Sequence, residues 1–267
     1  MRIHTLGQVR IVQLHDGYGS IDGNRVFYPA KRADWAEGLC PDPRGYMLNA
    51  YQPLLITENG QHTLVDTGFG ENNPARKGDL QADLEELGVA RADITRVVIT
   101  HAHGDHVGGN TLLRDEQRVQ AYPRAEYLVQ ESEIAGIRAR NTALWRESFA
   151  PLQKEGQLRP VAGRISLSQA IELWPLAGHT EGHQGVHISS GDQDVLFVGD
   201  LGLSIKNFHR PEWGSSWAWS LEEDEANRRR VCEWASAHGS IVILYHDPRT
   251  PWFRITATGE SYETEPA

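Results

Sequence analysis

The run Thr100-His101-Ala102-His103-Gly104-Asp105-His106-Val107-Gly108-Gly109 constrains this chain more than any other feature, because it sets four metal-capable side chains within six residues at the end of an apolar stretch. In extended backbone successive side chains alternate, so His101, His103 and Asp105 are expected to share a side. A turn just after them would swing His106 toward a second ion. Gly104, Gly108 and Gly109 supply the positive φ or close backbone approach that so compact a loop demands. Neutral imidazoles and carboxylates suit zinc, iron, manganese or cobalt.

One local cluster cannot fill two coordination spheres. Further donors occur at the ends of three later apolar runs: His179 in LAGHTEGHQG, Asp200 in VLFVGD and His246 in ILYHD. A ligand carried at the rim of a sheet is expected in that position. With 12 histidines in 267 residues, a lone histidine is more often a surface or hydrogen-bonded residue than a ligand, and His4, His15, His62, His187, His209 and His238 read that way. The cluster together with its three downstream partners reads as a metal centre.

The formal net charge of −10 argues against nucleic acid as a partner, since neutralising phosphates needs clustered Lys and Arg. The densest basic run, Arg228-Arg229-Arg230, follows Glu222, Glu223, Asp224 and Glu225 and reads as the solvated face of a helix. No stretch approaches the ~20 apolar residues of a membrane helix, and the N-terminus shows no apolar signal segment, so a cytoplasmic protein with no membrane partner is expected. Cys40 and Cys232 are too few for a disulfide framework or a thiolate site.

Strand-like runs dominate both ends, and helices follow each half's strands. VRIVQL comes first, and then two β-rich runs flank Glu58-Asn59-Gly60, a strong hairpin signal. Leu80, Leu84 and Leu87 are at helical spacing, and residues 96–100 form an apolar strand leading into the histidines. EYLVQ, a helical region over about 131–153, the strands IELWPL, GVHIS and DVLFVG, a helix over about 221–237 and the strand SIVILYH complete the chain. This order favours an α/β fold of αββα type, two mixed β-sheets packed together and flanked by helices, in a single domain over 1–267.

The pattern HxHxDH, complete in His101, His103, Asp105 and His106, with His179, Asp200 and His246 following in order and Asp66-Thr67-Gly68 upstream, resembles the metallo-β-lactamase superfamily. The resemblance implies that His101, His103 and His179 bind one divalent ion, that Asp105, His106 and His246 bind a second, and that Asp200 bridges them. Zinc is the default, with iron, manganese or cobalt as alternatives. Asp66 would orient a ligand by hydrogen bonding, and His183 reads as structural or as a support for the ligands. The implied chemistry is hydrolysis by a hydroxide shared between two ions, with Asp105 as the proton acceptor and relay.

The C-terminal half, GDLGLSIKNFHRPEW and ILYHDPRTPWFRI, looks most like the branch holding N-acyl homoserine lactonases and methyl parathion hydrolase, in which Pro211 would lead a loop near the pocket. A lactone, ester or organophosphate with an apolar portion is the expected small-molecule substrate. Trp213 and Trp217, together with Leu203 and Phe27, are the candidate pocket residues, with Trp219, Tyr28 and Trp35 nearby in sequence. Leu203 departs from the branch: lactonases of this type commonly carry a Tyr there. A thioesterase of glyoxalase II type and β-lactam hydrolysis are the alternative hydrolytic readings. A non-hydrolytic diiron redox protein fits less well, since such proteins usually have Glu in place of His103 and a fused flavodoxin-like domain. A homodimer is compatible with the sequence.

Overall fold

The computed structural model describes residues 1–72, 76–259 and 261–267. The chain forms two compact units, one of residues 1–17 and 51–173 and the other of residues 18–50 and 174–267. No helix among the described residues is long and apolar enough to cross a membrane.

The first unit is built on a seven-stranded mixed sheet, in the order Arg2–Leu6, Val9–Gln13, Leu54–Glu58, Gln61–Val65, Ile94–Val98, Glu126–Gln130 and Leu158–Val161. Its first four strands pair antiparallel and its last three join in parallel. The expected hairpin lies between Leu54–Glu58 and Gln61–Val65, where Asn59 (φ 51°) and Gly60 (φ 76°) both occupy the left-handed region that the turn requires. The strand before the histidines runs over Ile94–Val98, so Thr100 falls just beyond it. A core of Val12, Leu55, Leu64, Val97, Ile99, Tyr127 and Phe149 fills this unit. The helical region expected over 131–153 is three helices, Glu131–Arg140, Thr142–Ser148 and Ala150–Lys154. Asn141 caps the second by accepting from the Leu144 amide, and Pro151 is tolerated in the first turn of the third, where no amide partner is needed.

The second unit carries, as neighbours in a mixed sheet, the strands Gln184–Ser190, Gln193–Phe197, Ile241–Ile243, Trp252–Thr258 and Ser261–Pro266. The boundary between the units falls inside the strand Ile171–Pro175. Helix Leu221–His238 starts at Ser220, whose hydroxyl accepts from the Glu223 amide, and stops at Gly239 in the left-handed region. It buries Val231, Cys232 and Ala235 with Leu196, Val242 and Phe253.

Asp16 ties a loop of the first unit. Its Oδ2 accepts from the Phe69 amide (2.7 Å) and its Oδ1 from the Leu80 amide (2.9 Å). Burial nevertheless pushes its carboxyl up to about 6, outweighing those donors. The native state therefore takes up this proton before the unfolded chain does. Stability from this group is fully present below the ordinary carboxylate pKa and is lost as pH rises through about 6. We expect the loss to be on the order of 3 kcal/mol. Denaturant unfolding of Asp16→Asn between pH 4 and 6.5 should show a flatter pH dependence than wild type, and an unchanged slope would count against it.

Candidate metal centre

In the first unit the backbone stays extended through His103 (φ −92°, ψ 154°) and then turns helical over Gly104–Val107. The turn begins before Asp105, so Asp105 does not continue the His101 and His103 side as the extended reading required. Its ligand atom lies within 4.8 Å of that of His106, while His101 groups with His103 within the same limit. His101 Nε2 and His103 Nδ1 are 2.9 Å apart, and His106 Nε2 is 3.7 Å from Asp105 Oδ2. Two of the three glycines are sterically obligatory: a Cβ on Gly108 would meet the Phe69 carbonyl at 2.3 Å and one on Gly109 the Thr67 carbonyl at 2.2 Å. Gly104 has open space around it and carries no such demand.

Asp66 sits beneath this loop, fully buried and in the left-handed region at φ 61°, which Asp tolerates better than most residues. It accepts from the Thr100 amide (2.8 Å) and the Thr100 hydroxyl (2.7 Å), and its Oδ2 is 2.8 Å from His106 Nδ1. Burial pushes the Asp66 carboxyl up, and His106 pulls it back. A carboxylate on Nδ1 fixes the His106 tautomer and presents Nε2 to a metal, the usual arrangement behind a ligating histidine. Glu133, also buried, accepts from the Ala102 amide at 2.7 Å and so pins the backbone between His101 and His103. Sequence reading found Asp66 but neither Thr100 nor Glu133. No local pattern marks an acid in the first turn of a helix as buried.

In the second unit Asp200 follows strand Gln193–Phe197, and its two oxygens face two different imidazoles. Oδ2 lies 3.4 Å from His179 Nε2 and Oδ1 lies 3.2 Å from His246 Nε2. The far side of His246 is held at Nδ1, which donates to the Ala50 carbonyl (2.9 Å), with the Asn49 amide 3.1 Å away. His183 is a strut: its Nδ1 donates to the Leu176 carbonyl (3.0 Å) and its Nε2 accepts from the Asp200 amide (3.1 Å). Both ring nitrogens are thereby used in holding Asp200 in place.

The donor set fits divalent cations. Two ligands on a tetrahedral ion with bonds of about 2.0 Å stand about 3.3 Å apart, and the donor spacings of 2.9 and 3.7 Å in the first unit and 3.4 and 3.2 Å in the second bracket that value. All the groups are His or Asp, which suits zinc and other first-row ions.

The candidate pocket residues fall in two classes. Phe27 (0% exposed) and Leu203 (5%) pack together with Val26, Trp35 and Met47 in an interior cluster, and Trp213 leans on it edge-on to Phe27 at 6.3 Å. Trp217 is 37% exposed beneath the Arg25 guanidinium at 4.1 Å, and Trp219 is 47% exposed. The Trp219 amide donates to the His179 carbonyl (3.0 Å), which ties the aromatic segment to a loop carrying a candidate donor. Arg228 corrects the reading of its helix face as solvated: it is 2% exposed and paired with Asp224. Arg229 and Arg230 do lie at or near the surface.

A family model described as the metallo-beta-lactamase superfamily matches residues 52–248. The chain is 32% identical over 234 residues to metallo-beta-lactamase domain-containing protein 1 of Xenopus laevis, covering 86% of this chain and 83% of that protein. It is 28% identical over 246 residues to a probable metallo-hydrolase of Mycobacterium tuberculosis, with 76% of each covered. Among solved structures, it matches AidC, a dizinc quorum-quenching lactonase, with a TM-score of 0.81 at 24% identity, covering 100% of this chain and 97% of that one. A probable metal-dependent hydrolase from Staphylococcus aureus matches with a TM-score of 0.86 at 19% identity, with 97% of each chain covered. The family match spans most of the chain and takes in each of the seven His and Asp donors from His101 to His246, and on that ground the chain belongs to the metallo-β-lactamase superfamily.

Proposed function

We propose that this chain is a dinuclear metal-dependent hydrolase acting on a lactone, ester or organophosphate with an apolar portion. On the assignment that the family resemblance implies, His101, His103 and His179 would serve as donors to one ion and Asp105, His106 and His246 to the other, with Asp200 shared. The observation that carries this reading is Asp200, a buried carboxylate with each oxygen turned to a different histidine Nε2. A carboxylate so placed could serve one ion with each oxygen, and this supports the two-ion reading.

Divalent ions held there would supply Lewis acidity toward a carbonyl or phosphoryl oxygen and would lower the pKa of water towards about 7. The chain's own part is positioning and proton transfer. Asp66 and Ala50 hold the His106 and His246 rings, and His183 holds Asp200. Asp105 is the proton acceptor: its side chain is 23% exposed, whereas Asp66, Asp200 and Glu133 are buried, so it can pass a proton to solvent. Trp213, packed on the interior cluster that holds Phe27 and Leu203, and the more exposed Trp217 are assigned as an apolar wall for the substrate.

The test is metal analysis paired with a kinetic panel of acyl lactones, aryl esters, organophosphates and acyl thioesters. Two equivalents of zinc or a comparable ion per chain, with activity lost on chelation and restored by metal, are expected. Full activity in a metal-free preparation would refute the reading. Trp217→Ala should raise KM for substrates with an apolar tail by roughly tenfold, since burying one aromatic face is worth about 1–2 kcal/mol, and leave metal content unchanged. An unaltered KM would remove the wall.

A further inference from the structure

The chemistry proposed for the centre assigns no task to the most thoroughly buried cation near it. Arg228 is 2% exposed and its partner Asp224 is 1% exposed. From helix Leu221–His238, Arg228 donates Nη1 to the Leu201 carbonyl (3.0 Å) and Nε to the Pro211 carbonyl (2.9 Å), and it pairs with Asp224. Leu201 follows Asp200 directly. The same end of the helix also holds the other ligand loop of this unit. The Ser220 amide donates to the Gly178 carbonyl and the Trp219 amide to the His179 carbonyl, both at 3.0 Å. Gly178, at φ +141°, lies so close that a Cβ there would come within 2.3 Å of Asp224 Cα. One helical turn therefore grips both the residue before His179 and the residue after Asp200.

We propose that the Asp224–Arg228 pair is a positioning device that sets the spacing between His179 and Asp200 by clamping the Leu201 and Pro211 carbonyls. The proposal rests on the metal-centre reading above. Burying an ion pair is a poor way to gain stability, since desolvation offsets the attraction, so the pair is better accounted for by the geometry it imposes. Arg is the residue the task requires: its planar fork serves two carbonyls and a carboxylate at fixed angles, which a lysine ammonium cannot do. Supports of this kind typically alter metal affinity or activity by about 10–100-fold when removed.

Arg228→Lys keeps the charge opposite Asp224 and loses the fork. In the holoprotein it should keep a near-wild-type melting temperature, hold one of its ions about tenfold or more less tightly in competition with a chromophoric chelator, and lower kcat with KM within about twofold. Asp224→Asn should move metal affinity in the same direction. Arg228 also lines a solvent-open cavity of about 550 Å³ together with Tyr28, Trp213 and Glu225, which gives small ions a route to its place. Metal affinity in Arg228→Ala should therefore recover with millimolar guanidinium and not with methylammonium. A folded Arg228→Lys protein with wild-type metal affinity and kcat overturns the proposal, and so does an Arg228→Ala protein that folds but ignores guanidinium. If Arg228→Ala does not fold, Arg228→Lys decides. Wild-type protein that binds its ions but hydrolyses nothing on the panel counts against the hydrolase reading alone, because the chelator competition still tests the clamp; wild-type protein that binds no ion overturns both.

Discussion

Asp200→Ala is expected to lower turnover by roughly 10³-fold or more and to leave fewer than two ions per chain, because ligands shared between two ions support both of the roles asked of a two-metal site. Asp200 stands 3.4 Å from one histidine and 3.2 Å from another, and the rest of its surroundings hold it there: its amide is donated to His183, and it is 5% exposed. Truncation removes both oxygens at once while the imidazoles stay where Ala50 and the His179 loop keep them. Asp200→Asn separates shape from charge: it preserves packing and supplies one oxygen, so metal stoichiometry should fall while the melting curve stays close to wild type. Atomic absorption on the purified variants, run beside steady-state kinetics, reads both effects. Two tightly bound ions in Asp200→Ala would end the bridging assignment.

The second large effect is expected at Asp66, which touches no ion in the proposed scheme. Its carboxylate is the acceptor for the Thr100 amide, the Thr100 hydroxyl and His106 Nδ1, all at 2.7–2.8 Å in a fully buried setting. Asp66→Ala leaves buried donors unsatisfied at about 1–3 kcal/mol each, a large share of the 5–15 kcal/mol that keeps a typical domain folded. It also frees the His106 ring, for which a loss of about 10–100-fold in metal affinity is the usual consequence. The variant should therefore melt well below wild type even in excess metal. Asp66→Asn keeps an acceptor for Thr100 but offers an amide where His106 needs a carboxylate, so it should fold and bind metal weakly. Thermal unfolding with and without chelator distinguishes the two contributions, and an Asp66→Ala protein with wild-type melting and metal content would contradict the argument.

The two predictions differ in how far the chain alone foretold them. The candidate donors were legible because they stand next to their own positioning elements: an apolar strand ends, and a His or Asp follows at the rim. The Asn59-Gly60 hairpin and the helix from Ser220 to Gly239 were legible for the same reason, since turn and cap residues act on backbone a few positions away. The bend begins at Gly104, two residues before the position the sequence suggests, because a four-residue helical turn carries too little periodicity to show in a sequence.

The sequence by itself determined the family, the mixed α/β character and the seven candidate donors. Tertiary structure decided which other residues hold those donors in place. His106 depends on Asp66, 40 positions earlier, and His246 on the Ala50 carbonyl, 196 positions earlier. Arg228 and Glu133 look like ordinary surface charges in their own helices, and only burial gives them partners. The physical reason is range: propensity, capping and hydrophobic period act over a few residues, whereas the desolvation that makes a hydrogen bond or an ion pair decisive exists only after distant segments have packed around it.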